Sequence, residues 1–149
     1  MSVRLRAPEK RPVHLDLRRL QRRAVRALGS LGHARSELSL SLVDNAEIAE
    51  LNQSWRGRKG PTDVLSFSLV EGDHARYRGA MLGDVVIGLS VAAQQARQRH
   101  RSLDDEVAHL VVHGLLHLLG FDHESSAEAR VMQREERKVW RAIRGMPAA

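Results

Sequence analysis

The sequence predicts an α+β fold: a small mixed sheet packed against helices, with one apolar helix through the centre carrying the residues of greatest chemical interest. Three observations carry this prediction. Segments with period-two alternation are interleaved with segments of helical period, in an irregular order rather than a strict strand–helix repeat. The stretch Leu103–Leu119 is apolar around most of its girth, which suits a helix enclosed by other elements. Finally, the 149 residues contain no repeat, low-complexity tract or linker, so 1–149 reads as one domain able to bury a core without staples.

Each element has a local reason. Met1–Pro12 reads as a short strand or arm, Val3 and Leu5 alternating with Arg4 and Arg6 until Pro8 and Pro12 break it. Asp16–Leu28 is a helix with Leu17, Leu20, Ala24 and Leu28 as its apolar stripe and arginines outside. Glu37–Val43 sets Leu38, Leu40 and Leu42 against Ser39 and Ser41, the pattern of a half-buried strand. Asp44 or Asn45 caps a helix reaching about Trp55, with Ile48 and Leu51 inward, and Arg56–Pro61 is a basic, glycine-containing loop. Val64–Val70 and Leu82–Leu89 are strands, joined by the polar connection Glu71–Gly79. Ser90 is predicted to cap a helix through His100, and Ser102 the central helix. Ser125 or Ser126 caps a last charged helix to about Arg144, with Val131, Val139, Trp140 and Ile143 facing in.

Composition removes several function classes. With no cysteine, disulfides and thiolate metal sites are excluded, and a reducing compartment fits. No apolar run approaches the roughly 18–20 residues that span a bilayer, and the basic N-terminus lacks the apolar core of a secretory signal. The expectation is a cytoplasmic protein with no membrane partner. The net charge of +6 comes mostly from arginine, crowded at Arg4, Arg6, Lys10, Arg11, Arg18, Arg19, Arg22, Arg23 and Arg26. In sum this favours a polyanionic partner, although each arginine alone reads as part of a solvated helix face. Aromatic residues are scarce, which argues against an aromatic sheet platform for stacked bases, so phosphate contacts would dominate if RNA binds.

The most informative segment is His113-Gly-Leu-Leu-His117-Leu-Leu-Gly120-Phe-Asp122-His123. Residues four apart on a helix share a face, so His113 and His117 can reach one ion. Gly120 can adopt the left-handed conformation that ends a helix and returns the chain, bringing in His123 as third ligand. Three protein ligands leave a tetrahedral metal one open position, as catalytic zinc sites do. Metzincin proteases share this spacing but carry a glutamate general base after the first histidine. Here that position is Gly114, which disfavours proteolysis. His109 shares the ligand face and reads as structural or supporting; His14, His33, His74 and His100 read as surface residues.

A second constellation is Asn52–Phe67, in which Arg56, Arg58 and Lys59 stand beside loop glycines. Such cations suit phosphate, since guanidinium makes planar two-pronged contacts. Taken together, the two segments resemble the YbeY-type endoribonuclease family of rRNA maturation factors. That family has a Leu-Asn-x-x-Tyr-Arg-x-x-Asp-x-Pro-Thr-Asp-Val-Leu-Ser-Phe-Pro segment, then Leu-Gly-Asp-hydrophobic, then His-Gly-x-x-His-Leu-x-Gly-x-Asp-His. The matching pieces are Leu51–Phe67, Leu82–Ile87 and His113–His123. The resemblance implies one metal ion, usually taken as Zn2+, held by His113, His117 and His123. It implies metal-dependent cleavage of single-stranded RNA, in maturation of the 3′ end of small-subunit rRNA and in ribosome quality control. Ribosomes or ribosome-associated proteins would be partners, and the family's important arginine maps to Arg56.

On this reading Arg56 and His113 are the catalytic candidates, and Arg58, Lys59 and Ser66 join Arg56 as substrate contacts. Asp122 and Glu124 are the candidates for orienting a ligand imidazole, Glu124 being equally suited to capping near Ser125. Thr62 and Asp63 serve either the cleft or local capping. The attacking group is either water or the RNA 2′-OH. The chain departs from the family pattern at Trp55 (usually Tyr), Lys59 (usually Asp) and Ser68 (usually Pro). The charge reversal makes Lys59 a candidate phosphate contact. Two rival classes are a metal hydrolase of another substrate, and a non-catalytic ribosome-binding factor with a structural metal.

Overall fold

The computed structural model describes residues 2–11, 15–69 and 80–147. Among them the order is β1 (Val3–Arg6), α1 (Leu17–Ser30), β2 (Glu37–Val43), α2 (Asn45–Arg56), β3 (Val64–Ser68), β4 (Met81–Gly88), α3 (Leu89–Gln98), α4 (Leu103–Leu118) and α5 (Ser126–Ile143). The strands form one mixed sheet in the order β1-β2-β4-β3. β1 pairs parallel with β2, β2 parallel with β4, and β3 antiparallel with β4, leaving β3 at an edge. This is the α+β architecture expected, with the central apolar helix in place.

Strand alternation decides what covers each face. Leu38, Leu40, Leu42, Val85 and Ile87 belong to the main core with α1, α4 and α5, whereas Val43, Leu65 and Val86 join Ile48 of α2 on the other side. Helix α4 packs on β3 and β4, with α1, α3 and α5 around it. Its Leu115, Leu116 and Leu118 are completely buried, each contributing on the order of 1.5–3 kcal/mol of transfer free energy. The metal-binding candidates are thus mounted on the most enclosed helix of the fold.

Caps set the element ends. Asp16, Asp44, Ser102 and Ser125 accept hydrogen bonds from the N–H of Arg19, Glu47, Asp105 and Glu128, respectively, resolving the two open cap choices for Asp44 and Ser125. After α4, Gly120 (φ 95°) reverses the chain: its N–H donates to the His117 carbonyl and that of Phe121 to the Leu116 carbonyl. These are the paired bonds of a Schellman motif, and they realise the turn expected of Gly120.

Several expectations are corrected. Ser90 does not cap α3. The helix starts at Leu89 with Gly88 at the cap position and no side-chain cap bond; a Cβ on Gly88 would lie 2.5 Å from the Thr62 carbonyl oxygen, which is why the position is a glycine. Helix α1 continues past Leu28 to Ser30, and β3 ends at Ser68. The rest of that predicted strand, from Val70, and the connection Glu71–Gly79 lie outside the described residues. Arg56 is the last residue of α2 rather than the first of a loop, since left-handed Gly57 (φ 67°) is what ends the helix. Val131 is exposed and Met132 is buried instead. At 100° per residue Val131 sits roughly 80° around the helix from Val139, outside the stripe formed by Met132, Val139 and Ile143. Arg23, placed outside with the other arginines, is buried in the middle of the α1 stripe. Its guanidinium donates to Asp105 Oδ1 (3.0 Å) and the Arg144 carbonyl (3.2 Å) and lies 5.3 Å from the Trp140 ring centre. No helix among the described residues is long and apolar enough to cross a membrane.

Candidate metal centre

His113 and His117 come from one face of α4, and His123 from the turn that follows Gly120. One ring nitrogen from each lies within 4.8 Å of the others. His113 Nε2 and His117 Nε2 are 3.1 Å apart. That is near the ~3.3 Å edge of a tetrahedron built on zinc–nitrogen bonds of about 2.05 Å. Desolvation by burial, then the charges of His113 and His123, hold the His117 proton affinity below its ordinary value. Arg56 adds to this lowering while Asp122 opposes it. A neutral imidazole is the form that ligates a metal, so this lowering suits His117 to a divalent cation, and three clustered ring nitrogens are a donor set that fits one.

Two further groups position the candidate ligands. His113 Nδ1 lies 3.1 Å from Glu136 Oε1 on α5. With Nδ1–H donating to that carboxylate, the Nε2 lone pair of the neutral ring faces the centre of the triad. Asp122 Oδ1 accepts from the backbone N–H of His123 at 2.8 Å, so it fixes the chain that carries the third ligand rather than an imidazole. His109, one turn before His113, takes no place in the triad. It stacks on Trp140 with centroids 3.8 Å apart, and burial with the Arg101 charge beside it lowers its pKa to about 4. Of the histidines read as surface residues, His100 is exposed and His33 half-buried against Ser36, while His14 and His74 lie outside the described residues.

Gly114 has a steric cause. A Cβ there would sit 2.8 Å from Val85 Cγ1 and 3.1 Å from Ser66 Oγ, so the α4 backbone lies directly on the sheet. A side chain here would force Val85 to move, so packing disfavours a glutamate base at this position. Ser66, on β3, donates from Oγ to the Gly114 carbonyl at 3.0 Å and ties the edge strand to the metal helix.

Arg56, Arg58 and Lys59 are all exposed, at the end of α2 and in the loop after it. Asn52 holds that loop: its buried side chain donates from Nδ2 to the Gly60 carbonyl at 2.9 Å. Asp63 accepts from Val64 N–H (2.7 Å) and Gln95 Nε2 (3.2 Å), and Thr62 leans on Asp63, so both do local bonding work. The roles of Asn52 and Glu136 were not anticipated from sequence. A signal for both was present: each is a polar residue at an inward position, Asn52 four residues after Ile48 and Glu136 between Met132 and Val139. A polar side chain on a buried stripe needs a partner.

Residues 7–144 match the family model described as Endoribonuclease YbeY. An endoribonuclease YbeY from an Anaeromyxobacter species is 46% identical over 142 residues, covering 95% of this chain and 72% of that protein. One from Syntrophus aciditrophicus is 38% identical over 149 residues, covering 99% and 92%. Among solved structures, the solution structure of TM1509 from Thermotoga maritima aligns with a TM-score of 0.59 at 28% identity, over 97% of this chain and 93% of that one. With its motifs, fold and histidine cluster in agreement with these matches, the chain belongs to the YbeY endoribonuclease family.

Proposed function

We propose that this chain is a metal-dependent endoribonuclease that cuts single-stranded RNA, with Zn2+ held by His113, His117 and His123. The observation that carries the reading is the convergence of three imidazoles, with Arg56 near enough for its charge to act on His117. A divalent ion at the triad supplies Lewis-acid polarisation of a phosphoryl oxygen or lowers the pKa of water. The chain's own groups do the rest. Glu136 keeps the His113 lone pair directed inward, and Asp122 holds the backbone of His123. Arg56 binds the scissile phosphate with its guanidinium fork and stabilises the charge that builds there. Arg58 and Lys59 take flanking phosphates, which fits an open surface meant for a polymer. Ser66 contributes by holding the Gly114 carbonyl, and with it the register of the metal helix against β3.

In the cell the proposed substrate is ribosomal RNA, in 3′-end maturation of the small subunit and in ribosome quality control, with ribosomal or ribosome-associated partners in the cytoplasm. Family membership supports this part of the reading. The test is cleavage of a labelled single-stranded RNA by wild type, chelator-treated wild type and His113→Ala purified identically. Cleavage that disappears in both controls and returns to the chelated protein with zinc is the expected result. Equal cleavage in all three would assign the activity to a contaminant. No cleavage with metal bound and RNA retained would favour the binding-factor alternative. If the 2′-OH attacks, a DNA strand of the same sequence resists cleavage, so cleavage of that DNA would assign the attack to water.

A further inference from the structure

Trp55 is 71% exposed, by far the most exposed large apolar side chain among the described residues. An indole left this open forgoes its burial, and packing within the chain does not account for it. It is nevertheless held: the Phe67 ring meets it edge-on, centroids 5.8 Å apart at 65°. Phe67 packs in turn on the small core of Val43, Ile48, Leu65 and Val86, so the indole is braced by the edge strand. Trp55 immediately precedes Arg56, and Arg58 and Lys59 follow in the loop pinned by Asn52. Phe67 is also the neighbour of Ser66, whose hydroxyl bonds the Gly114 carbonyl next to His113. Phe67 faces the α2 side of the sheet and Ser66 the α4 side, so the indole and the triad flank the edge strand β3, with Arg56, whose charge acts on His117, next to the indole in the chain.

We infer that Trp55 is a stacking platform for one nucleobase of the single-stranded substrate, the base lying on the exposed indole while the adjoining phosphate meets Arg56. The inference rests on the RNA reading above and deepens it. A π face beside phosphate-binding cations is the combination that single-stranded nucleic acids recognise, and it tolerates any base. A base in a duplex is already stacked and paired on its own strand, so the same contact discriminates against double strands. One braced indole does this without an aromatic sheet platform, whose absence was expected from composition.

The test uses zinc-loaded protein and a set of short single-stranded RNAs, one intact and the others abasic at successive positions. Trp55→Ala should raise KM and the RNA dissociation constant roughly 5- to 150-fold, with kcat within about twofold and zinc affinity unchanged. Trp55→Tyr should recover most of the loss. For wild type, one abasic position near the cut should weaken binding by a comparable factor, and that position should cost Trp55→Ala little more. Trp55→Ala that binds the intact strand like wild type, or the same abasic profile in both proteins, would overturn the stacking role and leave the nuclease reading standing. Wild type that neither binds nor cuts single-stranded RNA would overturn both. Unchanged RNA behaviour joined to loss of a protein contact in a pull-down would reassign Trp55 to a protein interface.

Discussion

Replacing Glu136 by Ala removes the carboxylate that faces His113 Nδ1 at 3.1 Å and leaves the three histidines in place. Loss of such a partner typically weakens metal affinity 10- to 100-fold. Here the pair is about a third exposed, with side-chain exposures of 33% and 35%, and its separation is longer than a tight charge-assisted bond. The lower end therefore applies: about tenfold, or ~1.4 kcal/mol. At free zinc 100-fold above the wild-type dissociation constant, binding stabilises wild type by ~2.7 kcal/mol and the variant by about 1.4 kcal/mol. At roughly 2–4 °C per kcal/mol for a chain of this size, the zinc-induced rise in Tm shrinks by about 3–5 °C. The assay is a chelator-competition titration with a parallel melt, with and without zinc. Glu136→Gln keeps an acceptor oxygen and should lose less; Glu135→Ala removes the same charge one residue away and should lose nothing. Wild-type zinc affinity in Glu136→Ala would refute the positioning role, and an equal loss in Glu135→Ala would reduce it to a general charge effect.

Other outcomes follow from single contacts. Gly83→Ala would place a Cβ 2.2 Å from the Phe67 carbonyl oxygen on a backbone with φ 152°. The variant should be destabilised by about 3 kcal/mol or more, seen as a lower urea midpoint. His100 is the only non-glycine with positive φ among the described residues (φ 54°), in the turn between α3 and α4, so His100→Gly should stabilise by about 1 kcal/mol in the same titration. His109 has a folded pKa lowered to about 4, so the unfolded chain binds more protons between roughly pH 6.5 and 4. Stability should fall as pH drops through that window and level off below it. His109→Phe, which keeps a ring on Trp140, should show a shallower loss of Tm from pH 7 to 4 than wild type. Arg56→Lys keeps the charge but not the fork, and should lower kcat on single-stranded RNA by roughly 10²-fold while zinc affinity stays at the wild-type value.

Much of the candidate site is local in sequence and was therefore legible. The spacing of His113, His117 and Gly120 is a statement about one helix and its end, and backbone geometry alone brings His123 back. The alternation of Leu38, Leu40 and Leu42 likewise placed β2 to the residue. The misplacements have a common cause. Val131 and Arg23 were assigned to faces by residue type, yet the face is set by angular position, and a buried Arg23 is tolerated because α4, α5 and Trp140 supply its partners. Ser90 has the chemistry of a cap, but the helix begins one residue before it, at Leu89, with Gly88 at the cap position.

By itself, then, the sequence determined the α+β class, most caps and strands, the histidine triad and the family. Only the tertiary structure decided that Glu136 stands behind His113, that Asn52 pins the basic loop, that Gly114 is small because Val85 and Ser66 press on it, and that Trp55 is braced by Phe67. The physical reason is one of range. Periodicity and capping record which face of an element is buried, because that depends on neighbours a few residues away. Which group on another element meets that face depends on how the chain closes over tens of residues, and the sequence carries that information only as an unexplained polar residue on a buried stripe or an unexplained ring in water.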